Sequence, residues 1–247
     1  MISQDSYNYE SFTQWYDSSL RPEALSGFIN SPKVGNPAPD FEALTSDGYR
    51  VKLSELRDKS NVVLEFGCST CPPFVNSVKY AAMSLEKLAQ EYSAKGFEFF
   101  IVYTREAHPG EKITQHKSYE EKMRRAKDLK NAEDFRIPIL VDSIDGQINQ
   151  AYGSRPNGVF VVNKQGTLVF KSQWTDTLQL KDVLDNVIEW ENLVLSGKGV
   201  YYSYSETQRV IDMDRWADLG IKRKILGRAG DKAIREWKET LKDSDPI

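Results

Sequence analysis

The sequence predicts an α/β fold in which a central mixed β-sheet is flanked by helices. The first observation is a pair of short apolar runs, 61–66 and 97–103, that enclose a segment with helical apolar spacing. This arrangement is typical of a β-α-β unit with two parallel strands. The second observation is a later pair of runs, 159–163 and 167–171, joined by the turn Lys164-Gln165-Gly166. Such a pair indicates an antiparallel β-hairpin, so both pairing directions occur in one sheet.

The segment before the first buried run is expected to be mostly extended. Residues 34–41 contain two prolines, and the residue before a proline is driven away from the helical region. A turn at 46–48 then reverses the chain into an extended run, 49–53. A short capped helix is predicted to begin at Ser54.

Three longer helices and one more strand complete the predicted domain. An apolar stripe runs over 72–92, a charged surface helix over 117–130, and a last amphipathic helix over 178–195. A third parallel strand is predicted at 138–141. The resulting order, β-α-β-α-β-β-α with a late hairpin, is the connectivity of a thioredoxin-like domain.

The chain is longer than this domain needs. Residues 1–33, polar and aromatic, are predicted to form an N-terminal arm, and 34–195 the thioredoxin-like domain. Residues 196–247 are predicted to form a C-terminal helical extension with helices over 206–226 and 230–242. The arm and the extension are candidates for a homodimer interface.

Composition and charge exclude several classes of function. Thirty-three basic and 36 acidic residues give a net charge of −3, so no basic field is available to bind nucleic acid. The longest apolar runs are too short to cross a membrane. The first six residues lack the basic and apolar regions of a secretory signal, and a cytoplasmic location is therefore expected. Two cysteines and two histidines are too few for a disulfide scaffold and make a zinc site unexpected.

Cys71 has the strongest chemical signature, because it lies where a buried strand ends and a helix begins. The free N–H groups and positive dipole end of that helix favour a thiolate, so a lowered pKa and a nucleophilic role are predicted. Pro72 fits the first turn of such a helix. The alternative is a small buried hydrophobic residue. Cys68, three residues earlier, is a candidate resolving thiol, or a loop cysteine without a role.

Three motifs, taken in order, resemble the iodothyronine deiodinases, a family of the thioredoxin-like (redoxin) superfamily. The resemblance extends from about residue 34 to 190, and the family carries selenocysteine at the position of Cys71. The motifs are FGCSTCPPF at 66–74, VYTREAHP at 102–109 and ITQH at 113–116.

The resemblance implies reductive removal of iodide from an iodinated aromatic compound, with Cys71 as the attacking group. It implies that His108 is a proton donor or anchors a phenolate oxygen, and it places His116 where the family has another functional histidine. Alternatively, His108 is a surface loop residue without a catalytic role, and His116 merely lies next to a helix cap. An external thiol reductant or a thioredoxin-type protein would be the cosubstrate, with no metal or organic cofactor.

Four further residues are predicted to support the site. Thr70 is placed to donate a hydrogen bond to the Cys71 sulfur, and Glu106 and Arg105 to orient the site or the substrate. The alternative for Arg105 is a loop residue whose charge is simply solvated. By analogy with thioredoxin-like folds, Pro156 is expected to be a cis-proline that faces the cysteine.

The sequence also departs from the family pattern. The family reads Gly-Ser-Cys-Thr before its selenocysteine, whereas this chain reads Gly67-Cys68-Ser69-Thr70, so the auxiliary thiol has moved by one position. Phe74 occupies the position of the second cysteine of ordinary reductases. The segment between the two histidines is shorter than in the animal enzymes, and no N-terminal anchor is recognised. These departures indicate a soluble relative whose natural substrate need not be a thyroid hormone.

Two other functions stay open at this point. In a peroxiredoxin-like thiol peroxidase, Cys71 would attack a peroxide and become a sulfenic acid. In a non-catalytic binding module, Cys71 would be an unreactive thiol with a pKa of about 8.5.

Overall fold

Seven strands form one mixed sheet in the computed structural model, in the order β2-β1-β5-β4-β3-β6-β7. The structure describes residue 28 and residues 31–109, 113–153, 157–201 and 203–205. The strands are β1 Glu42–Thr45, β2 Arg50–Lys52, β3 Asn61–Gly67, β4 Phe97–Tyr103, β5 Ile139–Val141, β6 Val159–Val162 and β7 Leu168–Ser172. The α-helices are α1 Pro72–Val75, α2 Leu85–Tyr92, α3 Tyr119–Glu133, α4 Gln147–Tyr152 and α5 Thr177–Leu195.

The predicted mixed sheet is confirmed. Strands β3 and β4 pair in parallel along their whole length, from Asn61 opposite Phe97 to Gly67 opposite Tyr103. Strand β5 adds a second parallel pairing to β4, while β6 is antiparallel to both β3 and β7. Every residue of β3 is buried, as expected for a central strand covered on both faces. The carboxyl ends of β3 and β4 therefore lie side by side at one edge of the sheet.

The region before β3 is more regular than the sequence indicates. Residues 42–45, for which no element was predicted, form β1, and the predicted extended run 49–53 contains β2. Strand β1 pairs antiparallel with β2 and also with β5. The short helix predicted from Ser54 is a 3-10 turn, Leu53–Leu56, with no side-chain cap.

The continuous helix predicted over 72–92 is wrong. Helix α1 has only four residues and passes into a π-helical turn, Asn76–Tyr80. The backbone leaves the helical region at Ala81, and α2 starts afresh after Ser84, whose side chain accepts a hydrogen bond from the Lys87 N–H. A serine that caps a new helix competes with continuation of the old one.

Helix α4 was not predicted, because its cap comes from a distance in sequence. The buried Asp142 carboxylate accepts hydrogen bonds from the N–H groups of Ile148 and Asn149 in the first turn of α4. The helices predicted over 117–130 and 178–195 are confirmed as α3 and α5, capped by Ser118 and Asp176.

Several predictions lie outside the described residues. They concern most of the arm 1–33, the helices 206–226 and 230–242, and Pro156. None of the helices in the described part of the chain is long and apolar enough to cross a bilayer.

Successive side chains of β3 point to opposite faces of the sheet, and each face packs against its own hydrophobic core. Val62, Leu64 and Phe66 pack on one side with Tyr152 and Phe160. On the opposite face, a second buried cluster contains both cysteines and the residues Val63, Phe74, Leu180 and Leu184. Cys71 therefore belongs to the core between the sheet and α5.

The close approach of Phe74 to the end of β3 predicts the effect of Gly67→Ala. A Cβ at Gly67 would overlap the Phe74 ring, which is fully buried and packs edge-on against Phe135 at 6.2 Å between ring centroids. We expect Gly67→Ala to lower the free energy of unfolding by about 1–3 kcal/mol in urea denaturation. In the control Gly199→Ala nothing lies within 4 Å of the added Cβ, and the change should stay below about 0.5 kcal/mol. Equal effects of the two substitutions would contradict this packing.

Candidate active site

Cys71 lies at the strand-to-helix junction, as predicted. Strand β3 ends at Gly67, and the N–H of Cys71 donates to the carbonyl of Cys68 at 3.3 Å, which closes a tight turn. Cys71 has an extended backbone and is the N-cap residue of α1. Its carbonyl accepts a hydrogen bond from the N–H of Val75 at 3.2 Å.

The predicted lowering of the Cys71 pKa is wrong for this structure. The residue is only 5% exposed, and burial raises the pKa of its thiol to about 12. A hydrogen bond from the Phe74 N–H favours the thiolate, but the negative charges of Glu65 and Glu106 oppose it. Burial is the largest of these influences on the Cys71 pKa. Desolvation therefore exceeds the helix effect on which the prediction relied.

Cys68 is fully buried beside Cys71. Its sulfur accepts a hydrogen bond from the N–H of Ala107 at 3.1 Å and lies 3.7 Å from the Thr70 hydroxyl. Burial raises the pKa of the Cys68 thiol well above its usual value, and charge on Cys71 would raise it further. Both cysteines are free thiols.

A buried carboxylate, Glu106, holds the turn that precedes Cys71. Its Oε2 accepts hydrogen bonds from the Thr70 N–H at 2.9 Å and from the Thr70 hydroxyl at 2.8 Å. Its Oε1 accepts from the Tyr103 hydroxyl, which in turn lies 2.7 Å from the Ser69 hydroxyl. The loop after β4 is thus tied to both residues before Cys71.

Thr70 has a different contact from the one predicted. Its hydroxyl donates to Glu106 rather than to the Cys71 sulfur, and it accepts a hydrogen bond from the His108 N–H at 3.0 Å. The competing acceptor is a carboxyl oxygen, which is a stronger hydrogen-bond acceptor than a thiol sulfur. Burial raises the pKa of Glu106, and its hydrogen bonds from Tyr103 and Thr70 oppose that rise. Thr70 therefore links Glu106 to His108.

The two histidines flank this network and are both held neutral at pH 7. Burial lowers the pKa of His108 to about 4. Burial and the cations of Lys122 and Arg125 lower the pKa of His116 to about 3. The His116 ring lies 6.4 Å from the Tyr103 ring between centroids, and neither of its nitrogens has a hydrogen-bond partner in the described part of the chain.

Two further predicted residues, Arg105 and Pro156, are not among the groups connected above. Arg105 is half-buried, and its charge contributes to the low pKa of His116. Pro156 lies outside the described residues. Within residues 31–109, 113–153 and 157–201, no group of three histidine, cysteine or carboxylate side chains is placed to hold a metal ion.

Sequence reasoning missed Tyr103, Ser69 and Gln115. The Gln115 side chain accepts from the Glu106 N–H at 3.0 Å and donates to the Glu106 carbonyl at 3.2 Å, so it fixes the same loop. All three residues lie inside the motifs quoted above, which is the only signal that could have found them. Glu65 was also missed, although a carboxyl within an apolar strand is a readable signal.

The match to known proteins agrees with this geometry. Residues 13–189 match the family model described as iodothyronine deiodinase. The chain belongs to the iodothyronine deiodinase family. The match begins within the segment predicted to be an arm and ends close to the predicted limit of the resemblance.

Relatives of this deiodinase-family chain include several thyroxine 5-deiodinases. The Gallus gallus protein is 29% identical over 149 residues, which is 56% of this chain and 55% of the relative. The Bos taurus protein is 27% identical over 169 residues, which is 63% of this chain and 54% of the relative. The Homo sapiens protein is 28% identical over 156 residues, covering 58% and 49%. The match thus spans about half the length of these relatives.

Solved structures confirm the thioredoxin-like fold. A putative thiol:disulfide interchange protein DsbE from Chlorobium tepidum superposes with a TM-score of 0.51 at 22% identity, covering 64% of this chain and 99% of that one. An uncharacterized conserved protein from Geobacillus kaustophilus gives 0.51 at 21% identity, covering 65% and 85%. At this identity the likeness shows the fold alone.

The Glu106 contacts predict a contrast between two substitutions. Glu106→Ala leaves the two Thr70 donors and the Tyr103 hydroxyl without their acceptor, and we expect a loss of about 2–4 kcal/mol of unfolding free energy. In Glu106→Gln the amide oxygen still accepts from Thr70 while the Tyr103 hydroxyl reverses and accepts from the amide nitrogen. This variant should lose less than half as much.

Urea denaturation measures both variants, with Glu98→Ala as the control. Glu98 lies on β4, and within the part of the chain that the structure describes its side chain accepts one hydrogen bond, from the Ser60 hydroxyl at 2.9 Å; its loss should cost about 1 kcal/mol or less. If Glu106→Ala were no more harmful than Glu98→Ala, the Glu106 carboxylate would not hold the turn.

Proposed function

We propose that this protein catalyses the reductive deiodination of an iodinated aromatic compound of the iodothyronine type, with Cys71 as the attacking group. The observation that supports this most strongly is the connected set Cys71, Thr70, Glu106 and His108, built within the segments that match the deiodinase family. Relatives named thyroxine 5-deiodinase support the substrate class.

The proposed reaction forms one sulfur–iodine bond and breaks one carbon–iodine bond. The Cys71 sulfur bonds to the iodine while the electron pair of the carbon–iodine bond passes to the ring carbon. The thiol proton is transferred to that carbon. The products are the deiodinated ring and a Cys71 sulfenyl iodide. Because burial keeps Cys71 protonated at neutral pH, the thiol carries the proton that the ring needs.

The neutral histidines suit binding of the substrate better than donation of a proton. An imidazole with a pKa of about 4 is uncharged at pH 7, but its ring can still hydrogen-bond to a phenolic oxygen. Of the two roles that the resemblance implies for His108, we therefore favour the anchor. His116, buried beside Tyr103, would line the same side of the substrate.

Regeneration requires two reducing equivalents from thiols. A thiol attacks the sulfenyl iodide, releases iodide and a proton, and forms a disulfide with Cys71; a second thiol reduces that disulfide. We propose Cys68 as the first thiol, because it shares a turn with Cys71 and lies close enough for their charges to interact. Two external thiols in turn, or the dithiol of a thioredoxin-type protein, then reduce the Cys68–Cys71 disulfide to two thiols and are themselves oxidised to a disulfide. The reducing cytoplasm suits such a cycle.

Steady-state iodide release tests the proposal. With thyroxine and a dithiol, we expect Cys71→Ser to lower the rate by about 100-fold or more, since an alcohol cannot form the sulfur–iodine bond. Cys68→Ser should still form the deiodinated product in the first turnover, while the release of iodide and all later turnovers slow.

Peroxide consumption under the same conditions is the comparison. Iodide release that survives Cys71→Ser would overturn the proposal. Peroxide consumption that depends on Cys71, without any iodide release, would assign the protein to the thiol peroxidases instead.

A further inference from the structure

Glu65 is a carboxyl group buried in the centre of the sheet, and the proposed reaction does not use it. It lies on β3 with no exposed surface, between the paired residues Ile101 on β4 and Val159 on β6. Placing an ionisable group in such a position costs free energy, and buried carboxyls of this kind are concentrated at functional sites.

The Glu65 carboxyl is hydrogen-bonded to the turn that follows α1. Its Oε1 lies 2.5 Å from the Ser77 hydroxyl, which itself lies 2.8 Å from the Phe74 carbonyl. The Asn157 amide lies 3.1 Å from the Ser77 hydroxyl. With the amide oriented so that both of its ends have partners, its nitrogen donates to Ser77 at 3.1 Å and to Glu65 at 3.2 Å, and its oxygen accepts from the Trp174 indole at 3.1 Å. Ser77 therefore stands between Glu65 and the helix that begins at Cys71.

Ser77 has one hydroxyl proton, so its hydrogen bonds depend on the charge of Glu65. When Glu65 is protonated, its O–H donates to Ser77, and Ser77 can donate to the Phe74 carbonyl. When Glu65 is ionised, Ser77 donates to the carboxylate and the Phe74 carbonyl loses that partner. Phe74 is also the residue whose N–H donates to the Cys71 sulfur. The backbone of Phe74 thus links the two groups, because its carbonyl faces Ser77 and Glu65 while its N–H faces the Cys71 sulfur.

We propose that Glu65 is a positioning residue for Cys71, and that the proton on its carboxyl governs how readily the Cys71 thiol ionises. The inference deepens the proposed function, because it concerns the thiol to which that function assigns the chemistry. Two negative charges in one core repel each other, so the site holds one more easily than two.

The groups that face Glu65 and Cys71 define the pH range in which Glu65 should affect the ionisation of Cys71. Burial raises the pKa of Glu65 to about 8, against the opposing hydrogen bonds of Ser77 and Thr175. The charged groups that act on Cys71 are Glu65 from β3 and Glu106 from the loop after β4. Below pH 8 Glu65 is neutral, and only the Glu106 charge opposes ionisation of Cys71. Above pH 8 its carboxylate makes the Cys71 thiolate harder to form.

Alkylation of Cys71 by iodoacetamide tests the inference without any iodinated substrate. The rate at Cys71 is followed from pH 6 to 10 by tandem mass spectrometry, which separates it from Cys68. Glu65→Gln mimics the protonated carboxyl, so it should match the wild type within about twofold below pH 7 and alkylate about tenfold faster at pH 10. A purely structural role would change the rate by the same factor at every pH.

Two further variants make the result decisive. Ser77→Ala removes a hydrogen bond that stabilises the Glu65 carboxylate, so the inflection near pH 8 should move to higher pH. Glu98→Gln, the control, changes a β4 carboxyl that is bonded only by the Ser60 hydroxyl, and should leave the profile unchanged. A Glu65→Gln/wild-type ratio that is independent of pH, or an inflection that Ser77→Ala leaves in place, would overturn the inference. Failure of the deiodination assay alone would leave this result standing.

Discussion

The site depends on one buried carboxylate, Glu106, that reaches across from the loop after β4 to the turn before Cys71. Its oxygens accept from the backbone and side chain of Thr70 and from the Tyr103 hydroxyl. Because β3 and β4 are parallel neighbours, their carboxyl ends lie together and a side chain of this length can bridge them. Cys68 adds a further bridge through the Ala107 N–H. The orientation of Cys71 follows from these bonds.

Burial sets the chemistry of the cysteine more than the helix does. The same core that holds Phe74 and Cys71 excludes water from the sulfur, and two carboxyl groups nearby, Glu65 and Glu106, further disfavour a thiolate. A neutral thiol is a weak nucleophile, yet it is also a source of the proton that reductive deiodination consumes. The two histidines are neutral as well, because burial lowers the pKa of each.

Local sequence patterns predicted much of the fold and the place of the candidate nucleophile, Cys71, between a strand and a helix. The runs that form β3, β4, β6 and β7 carry their own β-branched and aromatic signal, and Cys71 is recognisable between a strand and a proline. Helix α4 could not be found in the same way, because its cap is Asp142, several residues upstream. The acceptor of the Thr70 hydroxyl and the pKa of Cys71 depend on residues that are distant in sequence and meet only in the folded core.

A single turnover without external thiol tests the role of Cys71 most directly. Reduced protein in excess over thyroxine is quenched, and the deiodinated product and the state of each cysteine are measured by mass spectrometry. With Cys71 as the iodine acceptor, each product molecule is matched by the loss of one Cys71 thiol, either as an adduct or as a disulfide with Cys68. Product formation with Cys71 still in its free thiol form would contradict this account.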